Sequence, residues 1–242
     1  MLANNETGVL FPIEEIGQVV REHSDAVFHV DGVQAVGKIP IRLRDWEVDL
    51  FSISGHKFYA PKGIGALYIR ENVKLPSFVI GGGQERGRRS GTEAVPNIVA
   101  LGRASKLARE FIGHEQVRTL RDQLETGILK TVSGTTVNGS IEPDQRLPNT
   151  TNISFEGLLG PDIVTALDAE GVCVSTGSAC HSDSADASPV LSAMKIPNSR
   201  ALGSIRFSLG RYTTERDIDQ TLEVLPKIVE DLQNKAGLAQ AR

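Results

Sequence analysis

Short apolar runs that lead into polar side chains constrain the fold of this chain more than any other feature. They cover residues 26–30, 48–53 and 65–69, and glycine or proline bounds the last two. Runs of this length are typical of strands in a sheet that is covered on both faces. Residues 13–22 carry apolar side chains at helical spacing just before the first run. The first half of the chain is therefore predicted to be α/β, with helices that feed strands.

A helical pattern dominates the middle of the chain. It begins around Pro96 and continues past Gly113 as far as Leu124, which predicts one helix that bridges two domains. The remaining elements are predicted as strands at 150–155, 172–175 and 204–209 and as helices at 162–170 and from Thr214 onward. This order of elements predicts a smaller α+β module for the second half.

The composition narrows the choice of partner and compartment. The 242 residues are 40% hydrophobic and carry a net charge of -4, without a basic cluster. Such a chain can bury a sizeable core, but it offers no electrostatic footprint for nucleic acid or an anionic membrane. No apolar stretch approaches the ~20 residues that cross a bilayer, so we expect a cytoplasmic protein. No metal site is predicted.

Asp31 and Lys57 each follow an apolar run, and they lie 26 residues apart. A buried lysine can form an imine with an aldehyde cofactor, and a carboxylate from a neighbouring strand can keep a pyridine nitrogen protonated. The pair therefore favours pyridoxal phosphate chemistry. The alternative is a lysine that only caps the end of a strand.

Cys180 lies in a stretch of small and polar residues, 174–186, that has no apolar periodicity and is predicted to be an exposed loop. An unpaired cysteine is usually buried, so exposure favours a thiolate that must meet a substrate. Two cysteines are too few for a disulfide framework. Cys173 follows an apolar residue and is expected to be a small core residue. His181 adjoins Cys180, but adjacent side chains need not face one another, which argues against a Cys-His dyad.

Three further segments fit an anionic ligand but also have simpler interpretations. Residues 4–8 offer short amides, although asparagine-rich segments are often plain turns. Residues 81–92 combine glycines with three arginines and can anchor an anion or form a solvated basic loop. Arg206 alternates with apolar residues in a short strand, where its partner is either a structural acid or a substrate carboxylate.

Together these motifs resemble those of the class V aminotransferase-like enzymes, and within them the cysteine desulfurases of the NifS and IscS type. The motifs that carry the resemblance lie at residues 3–8, 29–34, 54–57, 82–92, 175–180 and 204–211. The resemblance implies an α/β fold of fold type I and a homodimer. It makes residues 1–112 the C-terminal part of the large cofactor-binding domain, and residues 113–242 the small domain that carries the cysteine loop.

The resemblance also implies roles for individual residues around pyridoxal 5'-phosphate. Lys57 is implied to be the lysine that holds the cofactor aldehyde and later carries the proton at Cα. The other cofactor-binding roles fall on Asp31 at the pyridine nitrogen, Gln34 at the ring hydroxyl, Ser54 and His56 at the phosphate, and Thr92 at the phosphate of the neighbouring subunit's site.

For the substrate, the resemblance implies that Asn5 and Arg206 orient the carboxylate of L-cysteine and that Cys180 is the nucleophile. L-alanine would leave, and a persulfide would remain on Cys180 for transfer to an acceptor such as an iron-sulfur scaffold protein. Two alternatives stay open, a related class V lyase such as selenocysteine lyase and a non-catalytic interaction fragment. Family members carry a substantial segment before the Asn-Asn-Glu-Thr-Gly motif, so we expect this chain to be a fragment.

Overall fold

The computed structural model describes residues 1–177 and 187–240, with side chains as far as residue 237. Cys180 and His181 lie outside the described residues. Within the described part of the chain, no helix is long and apolar enough to span a membrane.

The chain forms two compact units. The first comprises Met1–Leu2 and Phe11–Gly113, and the second comprises Ala3–Leu10 and His114–Arg242. The short segment Ala3–Leu10 therefore packs with the C-terminal half of the chain, although it lies between two parts of the first unit in sequence.

The first unit is built on a three-stranded sheet in the order β1-β2-β3, in which β1 and β2 are parallel and β3 is antiparallel to β2. Its elements are α1 (Ile13–His23), β1 (His29–Asp31), β2 (Leu50–Ser54), a 3-10 turn (Gly55–Phe58), β3 (Gly65–Ile69), α2 (Gln84–Gly87) and α3 (Val95–Phe111). The strands predicted at 48–53 and 65–69 are confirmed. The first strand begins later than predicted because the Phe28 N–H donates to the Asp49 side chain at 2.8 Å rather than to a neighbouring strand.

Gly32, directly after β1, leaves room for the Phe51 ring of β2 against the backbone. A Cβ atom at this position would lie 1.8 Å from Cζ of the buried Phe51 ring. We expect Gly32→Ala to destabilise the first unit by about 1–3 kcal/mol, because an overpacked core must shift to accept the methyl group. Urea unfolding followed by the fluorescence of Trp46, the single tryptophan of the chain, measures the effect.

Gly83→Ala is the matched control for this prediction. A Cβ atom there has no neighbour within 4 Å, and the backbone φ of -84° suits alanine. Its urea midpoint should stay close to that of the wild-type protein. Equal midpoints for both variants would contradict the close packing at Gly32.

The second unit contains an antiparallel sheet in the order β4-β5-β6. Its elements are α4 (Gln116–Thr131), β4 (Thr135–Val137), β5 (Thr150–Phe155), α5 (Gly160–Ala169), α6 (Pro189–Ala193), α7 (Asn198–Ala201), β6 (Ser204–Ser208) and α8 (Glu215–Gln240). Alternate residues of β5 and β6 are apolar and buried against α4, α5 and α8. The intervening residues form a polar face, and the side chains of Asn152 and Arg206 on this face donate to carbonyl groups of Glu6 and Asn5.

Three predictions about the second half are wrong. The single bridging helix is two helices, because Ile112 leaves the helical region with a ψ of 127° and Gly113 follows with a φ of +89°. The strand predicted at 172–175 is reduced to one bridge between Ser175 and Arg206. Cys173 is exposed rather than buried, because it lies before Ser175, where this segment bridges to the sheet.

Candidate active site

The carboxyl ends of β1 and β2 bring several of the predicted site residues to one edge of the first sheet. Asp31 is the last residue of β1 and Ser54 the last of β2, and the two strands run in the same direction. Asp31 pairs in register with Ser52, so Asp31, Ser52 and Ser54 share one face of the sheet. A contact of 2.8 Å between His29 Nε2 and Ser52 Oγ lies on the same face. This face is polar at the edge where the predicted site residues meet.

Asp31 presents an exposed carboxylate in a fixed orientation. Its Oδ1 accepts a hydrogen bond of 2.8 Å from the N–H of Val33, in the turn that follows the strand. The N–H of Gly32 donates to the Ser52 carbonyl at 3.1 Å, which holds the start of that turn against β2. Gln34 lies in the same turn, where its carbonyl accepts from Lys38 Nζ at 2.7 Å.

Lys57 and His56 occupy the 3-10 turn directly after β2. The turn is fixed at both ends, because the Gly55 N–H donates to the Ile64 carbonyl at 2.9 Å and the Phe58 side chain is buried against α3. Lys57 is half-buried, and no described side chain pairs with its amine. A half-buried amine without a partner on a rigid turn is available to react with a ligand.

Thr92 does not lie on the strands or turns that carry the other predicted cofactor ligands. It is exposed on the segment between α2 and α3, and no described hydrogen bond joins it to Asp31, Ser54 or Lys57. The first unit thus brings five of the six predicted cofactor ligands to the carboxyl ends of two strands or the turns after them, and leaves Thr92 on the surface.

In the second unit, Asn4 organises the turn that carries Asn5. The Asn4 side-chain oxygen accepts from the N–H groups of Glu6 and Thr7, each at 2.9 Å. The Asn4 N–H donates to the Val9 carbonyl at 2.8 Å, which closes a tight hairpin. The segment is a turn, as the simpler interpretation of its asparagines predicted, and the turn directs the Asn5 carbonyl toward the sheet.

Arg206 connects that turn to the segment that leads to Cys180. Its Nη1 donates to the Asn5 carbonyl at 2.8 Å. Its backbone N–H donates to the Ser175 carbonyl at 2.7 Å, and its carbonyl accepts from Ser175 at 3.3 Å. The two residues predicted to bind a substrate carboxylate are therefore in contact, beside the start of the cysteine segment.

Glu6 is not among the site residues predicted from the sequence. Its side chain is 2% exposed, and its Oε2 accepts a hydrogen bond of 2.5 Å from Ser188 Oγ. No signal in the sequence singled it out, because a glutamate in a polar turn is usually solvated. Glu6 and Ser188 are 182 residues apart, and only the tertiary structure brings them together.

Asp31 thus ends β1, and Lys57 lies in the turn directly after β2, the strand parallel to it. Residues 1–221 match the family described as Aminotransferase class-V, and the chain belongs to this family. Cysteine desulfurase 2 of Trichormus variabilis is 52% identical over 233 residues, which cover 96% of this chain and 58% of that protein. Cysteine desulfurase NifS of Azotobacter vinelandii is 48% identical over 236 residues, which cover 97% of this chain and 58% of that protein.

Among solved structures, the chain is similar to a NifS-like protein from Rickettsia africae. That match has a TM-score of 0.85 and 35% identity, and it covers 95% of this chain and 60% of the other. The likeness confirms the predicted fold class, α/β of fold type I. The chain spans 58% of the length of the Trichormus and Azotobacter relatives.

Proposed function

We propose that this chain is part of a cysteine desulfurase, which converts L-cysteine to L-alanine and retains the sulfur as a persulfide on Cys180. One observation carries the proposal. An exposed, oriented carboxylate at Asp31 ends β1, and the half-buried amine of Lys57, which pairs with no side chain in the described part of the chain, follows the parallel strand β2 at the same edge of the sheet. The identity of about half of all aligned residues with proteins named cysteine desulfurase supports this assignment.

The residues at this edge fit pyridoxal 5'-phosphate. The cofactor presents a pyridine nitrogen, an aldehyde and a phosphate, and the edge offers a carboxylate at Asp31, an amine at Lys57, and polar groups at Ser54 and His56. When bound, the cofactor supplies an electron sink that weakens bonds at the α-carbon of an amino acid. In this proposal Gln34 donates to the ring hydroxyl, and Thr92 reaches the phosphate of the other subunit's site in a homodimer.

The protein's own groups then have separate tasks. Asn5 and Arg206 hold the carboxylate of L-cysteine, and Lys57 moves a proton at its Cα. The Cys180 thiolate attacks the substrate sulfur, so that a sulfur–sulfur bond forms and the bond between sulfur and Cβ breaks. The electron pair of the broken bond goes to Cβ, which takes up a proton and gives L-alanine. The persulfide passes to a cytoplasmic sulfur acceptor, such as a scaffold protein for iron-sulfur clusters.

Cys180→Ser tests this function. We expect the purified protein, loaded with pyridoxal phosphate, to form L-alanine from L-cysteine with a reductant present to release sulfide. The variant should lose at least about tenfold in this rate, because serine oxygen is a poor nucleophile toward sulfur. Quantitative amino-acid analysis of alanine measures both rates.

Cys173→Ser is the matched control, since Cys173 is exposed and has no role in the proposal. Its rate should equal that of the wild-type protein. Full alanine formation by Cys180→Ser would instead indicate a lyase that releases sulfur without a protein thiol. A loaded wild-type protein that forms no alanine would contradict the proposed function.

A further inference from the structure

We infer that Asn152 is a positioning residue for the substrate carboxylate; the inference rests on the desulfurase function proposed above. Asn152 lies on β5 and is fully buried on the polar face of the second sheet. It pairs in register with Arg206 on the neighbouring strand β6. Side chains at paired positions of antiparallel strands lie next to one another on the same face. Asn152 is therefore the neighbour of the arginine that is proposed to hold the carboxylate of L-cysteine.

The two side chains donate to consecutive carbonyl groups of one turn. Arg206 Nη1 donates to the Asn5 carbonyl at 2.8 Å. Asn152 Nδ2 donates to the Glu6 carbonyl at 3.3 Å. Because the two carbonyl groups belong to successive peptide units, the bond at Glu6 limits the directions in which the Asn5 carbonyl can point. Asn152 thereby helps to place the oxygen to which the guanidinium is bonded.

The side-chain amide of Asn152 has a fixed orientation. Its Oδ1 accepts a hydrogen bond of 2.7 Å from Asn138 Nδ2, so its NH2 group faces the Glu6 carbonyl. Asn138 is 2% exposed, and its Nδ2 also contacts Ser154 Oγ at 2.7 Å. A buried amide that is bonded at both ends cannot rotate without leaving a polar group unsatisfied. Asn152 is therefore a rigid support for the turn.

The turn depends on the sheet for its position. The Asn4 side-chain oxygen accepts from the N–H groups of Glu6 and Thr7, which fixes the shape of the turn from within. These bonds do not set where the turn lies over the strands. Asn152 and Arg206 reach the turn from β5 and β6, so their two bonds hold it against the polar face of the sheet.

This arrangement has a consequence for substrate binding. A guanidinium binds a carboxylate most strongly when the two groups are coplanar and share two parallel hydrogen bonds. The bond from Arg206 Nη1 to the Asn5 carbonyl constrains the plane of the guanidinium. A shift of that carbonyl would turn the plane away from the substrate carboxylate. Loss of the Asn152 side chain should therefore weaken the binding of L-cysteine without changing the reaction that follows.

Steady-state kinetics of the protein loaded with pyridoxal phosphate test the positioning role. Asn152→Ala should raise the KM for L-cysteine about five- to twentyfold, since a misaligned guanidinium loses part of a charged hydrogen bond. The kcat for alanine formation should stay within about twofold, because the lost interaction acts equally before and during the reaction. Asn152→Ser keeps a hydroxyl near Asn138 but is too short to reach Glu6, and it should behave in the same way. An unchanged KM in both variants would overturn the positioning role.

Ser154→Ala is the matched control. Ser154 is buried on the same face of β5 and belongs to the same network, through contacts with Asn138 and Ser204. No described hydrogen bond joins its side chain to the turn at residues 4–8, so the KM of this variant should equal that of the wild-type protein. An equal rise of KM in Ser154→Ala and Asn152→Ala would assign the effect to the whole network and overturn a specific role for Asn152.

A double-mutant cycle tests whether Asn152 acts through Arg206. Arg206→Ala alone should raise the KM roughly ten- to hundredfold, the usual effect of losing a charged hydrogen bond. When Asn152→Ala is added to Arg206→Ala, the KM should rise by less than about twofold more, because the guanidinium that Asn152 positions is already absent. A further rise as large as that in the wild-type background would show that Asn152 acts by another route and would overturn the inference.

Amide hydrogen exchange of the protein without cofactor tests the structural part of the inference. In Asn152→Ala we expect peptides that span residues 3–10 to exchange about tenfold faster, because the turn loses one of its bonds to the sheet. Peptides from α8 should be unchanged, and Ser154→Ala should leave residues 3–10 unchanged. Unchanged exchange at residues 3–10 in Asn152→Ala would overturn the inference. If the wild-type protein forms no alanine, the proposed function fails, and hydrogen exchange still decides whether Asn152 holds the turn.

Discussion

Lys57→Ala should abolish both covalent attachment of pyridoxal phosphate and turnover of L-cysteine. The amine is half-buried on a turn that is fixed at Gly55 and Phe58, and no described side chain competes for it. In the proposed function one amine, that of Lys57, binds the aldehyde and moves the proton at Cα, and alanine removes it. We expect a loss on the order of 10⁴-fold or more in alanine formation, since proton transfer alone contributes about 10²–10⁴.

Borohydride reduction followed by peptide mass analysis measures the attachment. The wild-type protein should carry the reduced cofactor on the peptide that contains Lys57. Lys62→Ala is the matched control, because this lysine is exposed and only five residues away. It should retain both the adduct and the rate. An equal yield of adduct on another lysine in Lys57→Ala would show that Lys57 is not the attachment point.

The second large effect is on stability, at a buried ionic network in the second unit. Glu125 Oε2 accepts from Arg146 Nη1 at 2.7 Å and from Thr151 Oγ1 at 2.6 Å, and Oε1 accepts from Arg146 Nη2 at 3.0 Å. The Arg146 side chain is 6% exposed. We expect Glu125→Ala to lower the free energy of unfolding by about 3–5 kcal/mol, because it leaves a buried guanidinium without its bidentate partner.

The same network predicts that the free energy of unfolding depends on pH. Burial alone raises the pKa of Glu125, but hydrogen bonds from Arg146 and Thr151 and the charges of Arg146 and Arg121 outweigh it and hold the pKa below its ordinary value of 4.5. As the pH falls, the unfolded chain therefore binds a proton at Glu125 at a higher pH than the folded chain does. The stabilisation is complete above pH 4.5 and is lost as the pH falls through the folded-state pKa. Glu125→Gln should lose less stability on acidification than the wild-type protein.

Urea unfolding followed by far-UV circular dichroism at several pH values measures both effects. Glu223→Ala is the control. It breaks the pair between Glu223 and Lys227, whose side chains are 73% and 70% exposed, respectively. It should change the free energy of unfolding by no more than about 0.5 kcal/mol. If Glu125→Ala and Glu223→Ala behaved alike at neutral pH, the network would not hold the second unit together.

Apolar runs and apolar-polar alternation predicted much of the fold, because both patterns depend only on residues that are close in sequence. The apolar runs at 48–53 and 65–69 are strands in the structure, and the alternation in 204–209 marks the two faces of β6. Predicted helix starts also hold where a capping signal is present. Thr214 and Asp217 bond to one another at the start of α8, and Pro96 lies in the first turn of α3.

The failures share a physical cause as well. The pattern through Gly113 is one that a helix could continue, yet Ile112 is extended and Gly113 has a positive φ, so α3 ends at Phe111. Cys173 follows an apolar residue, yet it is exposed because the segment joins the sheet only later, at Ser175. The neighbours of Glu6 in sequence predict a solvated glutamate. Its contact with Ser188, which lies 182 residues away, is set by the tertiary structure.

The sequence by itself determined the α/β class, most of the strands and the candidate pair Asp31 and Lys57, because side-chain periodicity and residue chemistry are local properties of the chain. The other candidate cofactor residues came from the resemblance to a known family. Only the tertiary structure decided that Asp31 and Ser54 share a face, that Arg206 meets Asn5, and that the buried Glu6 carboxylate meets Ser188. These contacts link residues that are far apart in sequence, and they form only when the packing of whole elements brings those residues together.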